Sequence, residues 1–329
     1  MEKRQDVFRK RKATFTIVFL VIAVLFAGAS LVTAYGLSCL VLIVGMLWFL
    51  GRQWHELPPD LSPQTETHST DFWSRLLPFA AWVWVTNLLY NLFDVVDRYM
   101  IVHTSRAADP LAEIGNYHSS RIVPLLLVSI SGLLGTMILP HLSHDWEAGR
   151  RGAVSARMNL ALKLLGLLLF TGSILILLAR PWLFDVAFKG KFAGGMAVLP
   201  WTLTYCSWFG LATMAQMYLW CAERARLGCA ALLTGLVTNV VLNSILLPRF
   251  GLIGAVLATG AANAVALVLI YRFNTWMGMR LERAVLLISL LPITLGFGPW
   301  IALAALGTVA LAAIFTNPAV FFTLNFCSK

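Results

Sequence analysis

Residues 227–271 read LGCAALLTGLVTNVVLNSILLPRFGLIGAVLATGAANAVALVLIY, and this stretch contains two continuous apolar runs, at 227–247 and 251–271. Each run is about 20 residues long, which is the length a helix needs to cross the hydrocarbon core of a bilayer. Neither run alternates apolar and polar residues as a transmembrane β-strand does. The stretch therefore predicts two membrane-spanning helices joined by a short turn.

The rest of the chain has a similar composition. Of its 329 residues, 59% are apolar and 12% are charged, and the mean hydropathy is +0.78. Soluble domains average roughly 45–50% apolar and about 25% charged residues, so a soluble globular protein is excluded. We predict an all-α, polytopic transmembrane helix bundle with about ten spans. The predicted spans are 14–33, 35–50, 76–102, 120–142, 158–179, 197–221, 227–247, 251–271, 284–298 and 300–317.

Basic residues are divided unevenly between the two sides of the predicted membrane. With a cytoplasmic N-terminus, 18 lysines and arginines fall on the cytoplasmic side and 7 on the other. Cytoplasmic loops of membrane proteins accumulate Lys and Arg, so we expect both termini in the cytoplasm and a multi-pass location in the inner or plasma membrane. The net charge of +10 follows from this bias. Membrane lipids are therefore expected partners, and nucleic acid is not.

The predicted span at 76–102 carries polar side chains that a bilayer disfavours. Four of them are spaced 4, 3 and 4 residues apart: Asn87, Asn91, Asp94 and Arg98. This spacing puts them on one helix face. A charged side chain near mid-membrane costs about 2.5–3.5 kcal/mol, so we expect the face to line the bundle interior or a water-filled cavity. The alternative is that Asp94 and Arg98 merely neutralise each other near the membrane surface.

Two further basic residues are predicted to lie at membrane depth. Arg121 opens the predicted span at 120–142, and Lys163 lies inside the cytoplasmic end of the span at 158–179. A guanidinium grips phosphate bidentately and an ammonium acts as a point charge, so both suit an anionic substrate. The alternative for both is that the side chain extends towards lipid headgroups.

The stretch at 227–271 also carries residues that favour close helix packing. Gly254 and Ala258 are four residues apart, the small-xxx-small pattern with which membrane helices approach one another, and Gly251 precedes them. Asn239 and Asn243 have the same spacing and are expected to hydrogen bond across helices. We interpret all five residues as packing positions rather than substrate contacts.

Sequence motifs of several enzyme classes are missing. No GxxxxGK[ST] phosphate loop, GxSxG or HExxH motif occurs, and the longest polar gap, 51–74, is too short for a separate catalytic domain. His141, His144 and Asp145 resemble an HxxHD metal site but have no further ligand nearby in the sequence. We therefore predict a protein that is not an enzyme, with no cofactor and no metal site.

Three blocks of sequence form a set that points to a known family. They are NLFDVVDRYM (91–100) followed by EIGNYHSSR (113–121); LPHLS (139–143); and NVVLN (239–243) followed by LPRFGLIGA (247–255) and Ala258-Thr259. The third block is the most specific, because it combines paired asparagines, a Pro-x-x-Gly turn and a Gly/Ala-rich helix. Together they resemble the polysaccharide flippases of the multidrug/oligosaccharidyl-lipid/polysaccharide exporter (MOP) superfamily.

The resemblance implies a domain organisation. Residues 75–275 are expected to form a complete six-helix second lobe, and residues 1–50 a basic N-terminus with the last two helices of a first lobe. A cytoplasmic linker at 51–74 separates the two, and 276–329 adds a C-terminal helix pair and tail. By this resemblance the first four helices of the family are expected to be missing from the chain, so a second chain that supplies them or the polysaccharide biosynthesis machinery is an expected partner.

The resemblance also implies a function and roles for the polar residues. A lipid-linked oligosaccharide, carried on polyprenyl pyrophosphate, would be translocated by rocking of two lobes. Substrate contact is expected from Arg98, Arg121, Asn87, Asn91 and Lys163. Asp94 and Asp97 would pair with the arginines or carry a coupling proton or sodium ion.

Three other functions remain open from the sequence. The nearest is an ion-coupled exporter of drugs or organic cations with the same architecture. A second is a truncated protein that does not transport. A third is a membrane glycan polymerase or acyltransferase, which the sequence favours least because no His, Arg or Asp constellation is evident in an outer loop.

Overall fold

The computed structural model describes residues 40–41, 43–49, 51–52, 69–105 and 109–316. Nearly all of these residues are helical and none of them lies in a β-strand, which confirms the predicted all-α bundle. The chain divides into two compact units, Met1–His68 and Ser69–Lys329. The predicted span at 14–33 and the first part of the span at 35–50 lie outside the described residues.

Six long helices occupy most of the second unit. The helices are α1 (Ser69–Thr104), α2 (Pro110–Glu147), α3 (Arg151–Trp182), α4 (Ala193–Cys221), α5 (Ala225–Phe250) and α6 (Leu252–Trp276). A π-helical segment, Leu183–Ala187, extends α3.

Local sequence explains where several of these helices begin and end. Asp109 caps α2, because its Oδ1 accepts the backbone N–H groups of Leu111 and Ala112 at 3.0 and 3.1 Å. Pro110 follows at the first helical position, where its missing N–H costs nothing. Gly251 separates α5 from α6 with a φ of +57°, a conformation that favours glycine.

The start of α2 corrects the predicted span at 120–142. The polar segment before residue 120 lowers the hydropathy, yet the helix already begins at Pro110. Tyr117, Ser119 and Ser120 are buried within the bundle. They contact neighbouring helices rather than lipid, so this part of α2 does not have to be apolar. Arg121 consequently lies about three turns inside α2 and does not open the helix as predicted.

Five of the described helices are long and apolar enough to cross a membrane, which makes this a multi-pass membrane protein. They are Leu76–Thr104, Pro110–Glu147, Arg151–Ala187, Ala225–Phe250 and Leu252–Trp276. The predicted span at 197–221 lies in α4, which is long enough to cross a membrane but less apolar than these five helices, because it contains many Thr, Ser, Tyr and Trp residues. α4 packs against α2, α3 and α6 and most of its residues are buried, so it contacts protein rather than lipid.

The C-terminal helix pair differs from the predicted spans at 284–298 and 300–317. The first member is a short α-helix, α7 (Arg283–Leu290), that continues as a 3₁₀-helix, Leu291–Phe297, rather than one α-helix. Pro292 explains the change, because proline cannot donate to the preceding helical turn. The second member, α8 (Pro299–Thr316), begins after Gly298 at a φ of +112°, so Pro299 separates the pair as predicted.

Small residues bring α5 and α6 into close contact. A Cβ atom added to Gly254 would overlap the backbone carbonyl of Leu246, and one added to Gly235 would lie 3.0 Å from the carbonyl oxygen of Ala262. Ala258 is completely buried. This close approach fixes the register of α6 along α5 and positions the polar side chains described next.

Candidate functional site

A buried carboxylate lies where α1, α2, α5 and α6 meet. Asp97 of α1 is 1% exposed. Its Oδ2 accepts hydrogen bonds from Tyr117 Oη at 2.5 Å and Thr259 Oγ1 at 3.0 Å. Its Oδ1 accepts from the side-chain amides of Asn239 and Asn243, at 3.0 and 3.1 Å. Four neutral donors from three other helices thus hold Asp97, and we call these five residues the Asp97 cluster.

The geometry of α5 and α6 brings the donors of the Asp97 cluster together. Asn239 and Asn243 are four residues apart and share one face of α5. Asn239 also donates to Thr259 Oγ1 at 3.2 Å, and Asn243 donates to Asn239 Oδ1 at 3.1 Å. Asn243 Oδ1 is buried and has no hydrogen-bond partner among the described residues. The cluster therefore concentrates carboxylate, amide and hydroxyl oxygens in one buried place.

A second carboxylate, three residues earlier in α1, contacts charged groups instead. Asp94 Oδ1 forms an ion pair with Arg121 of α2, and Asp94 Oδ2 forms one with Arg98 at 3.1 Å. The Arg121 side chain is 10% exposed, and its Cζ lies 5.1 Å from the ring centroid of Tyr117. Its Nε is buried and has no acceptor among the described residues. We call Asp94, Arg98 and Arg121 the charged triad.

A cavity of about 220 Å³ lies beside both groups and is lined by Asp94, Asp97 and Arg121. Tyr90 forms part of its wall and is fixed by a 2.8 Å hydrogen bond from its Oη to Gln216 Oε1. The ring of Tyr90 also packs edge-on against Phe209, with centroids 5.1 Å apart. Further aromatic and amide lining comes from Phe93, Tyr205, Asn91 and Asn263. The cavity thus combines a guanidinium, two carboxylates, amides and aromatic rings.

The remaining members of the predicted stripe lie around this cavity or on the surface. Asn91 lines the cavity, while Asn87 and Arg98 are exposed on α1. The amides of Asn87 and Asn91 donate to the carbonyl oxygens one turn earlier in their own helix, at 3.1 and 2.8 Å. Asp97 points to another face and pairs with neither arginine, although such pairing was one of its two predicted roles.

Lys163 lies apart from the cavity. Its Nζ forms a 2.7 Å ion pair with Glu282, which precedes α7, and both side chains are partly exposed. The pair connects α3 to the C-terminal helix pair. Substrate contact by Lys163 therefore stays a sequence-based prediction that the cavity does not support.

The histidines at the end of α2 do not form a metal site. Within the described part of the chain, no group of three or more His, Cys, Asp or Glu residues could hold a metal ion. Asp145, beside His141 and His144, forms ion pairs with Arg150 and Arg157 at 2.6 Å each. These contacts attach the end of α2 to the start of α3.

Several residues of the Asp97 cluster and of the cavity lining are not among the site residues predicted from the sequence. Tyr117 and Thr259 lie inside the quoted blocks 113–121 and 247–259, where they could have been recognised. Tyr90 stands within the polar region of α1. Tyr205 and Phe209 lie in α4, and no local pattern sets them apart from packing aromatics.

Comparison with known proteins identifies a curated relative that aligns with most of this chain. The chain matches no protein-family model. It is 25% identical over 252 residues to the uncharacterized membrane protein YabM of Bacillus subtilis strain 168, and the match covers 72% of this chain and 46% of the relative. The chain thus spans about half the length of the curated relative it matches.

Three solved structures have a similar fold. The lipid II flippase MurJ in an inward closed conformation aligns with a TM-score of 0.56 and 16% identity, over 78% of this chain and 57% of MurJ. A MOP superfamily transporter from Pyrococcus furiosus gives 0.53 and 18%, over 74% and 55%. A multidrug resistance MATE family transporter in an outward-facing conformation gives 0.53 and 18%, over 76% and 60%. The neighbours are transporters and flippases rather than enzymes, and this chain has the fold of the MOP superfamily transporters.

Proposed function

We propose that this chain supplies one lobe of an inner-membrane transporter that flips a polyprenyl-pyrophosphate-linked oligosaccharide for surface polysaccharide biosynthesis. The observation that carries the proposal is the Arg121 side chain, which is almost completely buried, faces the cavity and has an Nε–H without an acceptor among the described residues. A charge at such depth in a membrane protein is costly and marks a functional position. Pyrophosphate is a ligand that the planar guanidinium binds bidentately.

The other parts of the cavity suit the remaining parts of such a substrate. Tyr90 and Phe209 offer ring faces against which a sugar can pack, and Asn91 and Asn263 offer amides for its hydroxyl groups. Arg98 and Asn87 extend the polar surface along the exposed face of α1. The polyprenyl tail stays in the bilayer, because each methylene moved into water costs about 0.8 kcal/mol.

One structural neighbour and the quoted sequence blocks motivate the choice of a lipid-linked substrate in this proposal. One of the three structural neighbours is a lipid II flippase. The three quoted sequence blocks resemble polysaccharide flippases of the same superfamily. For these reasons we propose a flippase function first and a drug exporter second.

We assign ion coupling to the Asp97 cluster. A carboxylate as deeply buried as Asp97 is costly to keep charged, so binding a proton or a sodium ion there changes the energetics of the bundle. Rotating the amides of Asn239 and Asn243 would turn their oxygens towards Asp97 and create an oxygen-lined site. An electrochemical gradient supplies about 2.3 kcal/mol per charge per 100 mV to such an ion.

A complete transporter needs a second lobe facing the cavity. The exposed residues Asn87, Asn91 and Arg98 lie on α1, as a surface between two lobes requires. We propose that the second lobe comes from further residues of the same protein or from a second chain. Both termini of this chain are proposed to be cytoplasmic, in accordance with its 18 to 7 distribution of basic residues.

A second candidate function is the export of organic cations. Two carboxylates, Asp94 and Asp97, and the rings of Tyr90 and Phe209 line the same cavity, and carboxylates with aromatic faces attract organic cations. A MATE family transporter is also among the structural neighbours. The net charge of the cavity decides between the functions: Arg121 must be free for an anion and neutralised for a cation.

The proposal is tested in the native host. A strain that lacks this chain is complemented with the wild type, with Arg121→Gln or with Arg98→Ala. We expect both variants to abolish surface polysaccharide and to accumulate lipid-linked oligosaccharide in the cytoplasmic leaflet, because the pyrophosphate loses its contacts. The protein must still be present in the membrane, which immunoblotting of membrane fractions measures.

Arg249→Gln is the matched control, since Arg249 is an exposed arginine at the end of α5 and lies outside the cavity. It should export normally. Normal export by the Arg121→Gln strain contradicts the proposal. Drug sensitivity of the deletion strain without any glycan defect favours the organic-cation exporter instead.

A further inference from the structure

We infer that Asp94 is a built-in competitor of the anionic ligand: its carboxylate bridges Arg121 and Arg98 in this structure, and it releases Arg121 and stays paired with Arg98 alone when a phosphate group binds. The inference rests on the proposed function, because it requires an anionic ligand at Arg121. It adds a role for Asp94 that differs from ion coupling, namely control of how tightly the cavity holds its ligand.

The first argument is the geometry of the charged triad. Asp94 bridges two arginines that differ in environment: the Arg121 side chain is 10% exposed, whereas the Arg98 side chain is 46% exposed. Arg98 lies one helical turn after Asp94 and contacts its Oδ2 at 3.1 Å. Asp94 itself is 36% exposed, so its carboxylate can turn towards Arg98 without leaving the cavity rim.

The second argument is that Asp97 cannot do the same. Both oxygens of Asp97 are engaged by Tyr117, Thr259 and the two asparagines, and the carboxylate is enclosed by four helices. The ion pair to Arg121 recorded in the structure comes from Asp94. Releasing Arg121 therefore requires movement of Asp94 and leaves the Asp97 cluster intact.

The third argument is the charge of the cavity region. Two carboxylates, Asp94 and Asp97, face two guanidiniums, Arg98 and Arg121, so the formal charges cancel when Asp97 is ionised. A phosphate that binds Arg121 takes over the position of the Asp94 carboxylate, since the two groups have similar oxygen geometry. Like charges that remain close repel each other, so Asp94 must turn away when the anion enters.

This exchange has a physical consequence for transport. A free guanidinium at this depth would hold a pyrophosphate tightly and release it slowly, because affinity differences mostly reside in the dissociation rate. Competition by Asp94 weakens the affinity of Arg121 for any small anion and speeds release of the substrate. Asp94 is thus a positioning residue whose removal tightens binding and slows turnover.

The experiment measures binding of inorganic pyrophosphate to the purified full chain in detergent by isothermal titration calorimetry. Asp94→Asn keeps the size of the side chain and removes its charge, so we expect it to bind pyrophosphate about tenfold more tightly than the wild type. Asp94→Glu keeps the charge and should bind with an affinity within about twofold of the wild type. The double variant Arg121→Gln/Asp94→Asn should not show the tighter pyrophosphate binding expected of Asp94→Asn alone.

The outcomes separate this inference from the proposed function. Tighter binding by Asp94→Asn that disappears with Arg121→Gln supports the inference. If the wild type binds pyrophosphate measurably and Asp94→Asn binds it no more tightly, the inference about Asp94 is overturned. The proposed function still stands in that case, provided that Arg121→Gln weakens binding by the wild type. Absence of pyrophosphate binding in both proteins overturns the inference and removes the role of Arg121. A variant that does not fold is replaced by Asp94→Ser, for which the same tightening is expected.

Discussion

Two carboxylates three residues apart on α1 have opposite environments. Asp97 is buried and bonded to four neutral donors, whereas Asp94 is partly exposed and paired with two arginines. The difference arises because α5 and α6 cover one face of α1 and leave the adjacent face open to the cavity. The comparison teaches that the same residue type serves a fixed site in one position and an exchangeable ion pair in the other.

The largest effect is expected from removing the fixed carboxylate. Asp97→Ala removes one acceptor from each of four buried donors, and each buried donor group left unsatisfied costs about 1–3 kcal/mol. We expect a loss of at least about 3 kcal/mol in the free energy of unfolding, measured by denaturation in detergent micelles. Asp97→Asn preserves the volume and one acceptor oxygen and should lose less. Equal stability of Asp97→Ala and Asp94→Ala contradicts the comparison.

A smaller effect is expected from the backbone contact that positions the Asp97 cluster. Gly254→Ala places a Cβ atom against the Leu246 carbonyl, so α6 must shift away from α5 and from Asn239 and Asn243. Overpacking of this kind costs about 1–3 kcal/mol. Gly132→Ala in α2 is the control, because no atom lies within 4 Å of the added Cβ, and it should not destabilise the protein. Equal thermal unfolding midpoints of the two variants would show that the close contact between Gly254 and the Leu246 carbonyl does not contribute to stability.

Removing the exchangeable carboxylate should cost less again. Asp94→Ala leaves Arg121 without its partner, but the cavity admits water to the guanidinium, so we expect a loss of about 1 kcal/mol. The loss should shrink at high salt, because salt screens partly exposed ion pairs. Thermal unfolding at low and high potassium chloride concentration measures this. A loss as large as that of Asp97→Ala would make the two carboxylates equivalent and refute the comparison.

The smallest effect concerns the ion pair outside the cavity. Lys163 and Glu282 are 30% and 46% exposed, so Lys163→Gln should cost less than about 1 kcal/mol and leave pyrophosphate binding unchanged. The same calorimetric titration checks this expectation. Weakened binding in Lys163→Gln, comparable to that in Arg121→Gln, would instead support the substrate role that the sequence predicted for Lys163.

The sequence was sufficient for the helical architecture and for part of the site. Continuous apolar runs predict most of the long helices, and the 4-3-4 spacing of Asn87, Asn91, Asp94 and Arg98 falls within helix α1. It could not separate Asp94 from Asp97, because that difference depends on which face α5 and α6 cover. The polar start of α2 misleads because other helices, not lipid, surround it, whereas the predicted span at 197–221 falls within the observed helix α4.

Side-chain depth was the other quantity that sequence could not supply. Arg121 was expected at a helix start, where reaching towards headgroups is easy, yet it lies well inside α2 and against the Tyr117 ring. Lys163 was expected at comparable depth but finds Glu282 beside α7. Hydropathy windows locate the membrane-crossing segment of a helix, whereas the partner of each charge depends on tertiary packing.

The most direct test of the central claim is the affinity of the purified chain, in lipid nanodiscs, for a polyprenyl-pyrophosphate-linked sugar. The wild type and Arg249→Gln are predicted to bind it with equal affinity, and Arg121→Gln at least about tenfold more weakly. The account would be contradicted if Arg121→Gln bound the lipid-linked sugar as tightly as the wild type does. It would also be contradicted if the wild type bound ethidium, an organic cation, but not the lipid-linked sugar.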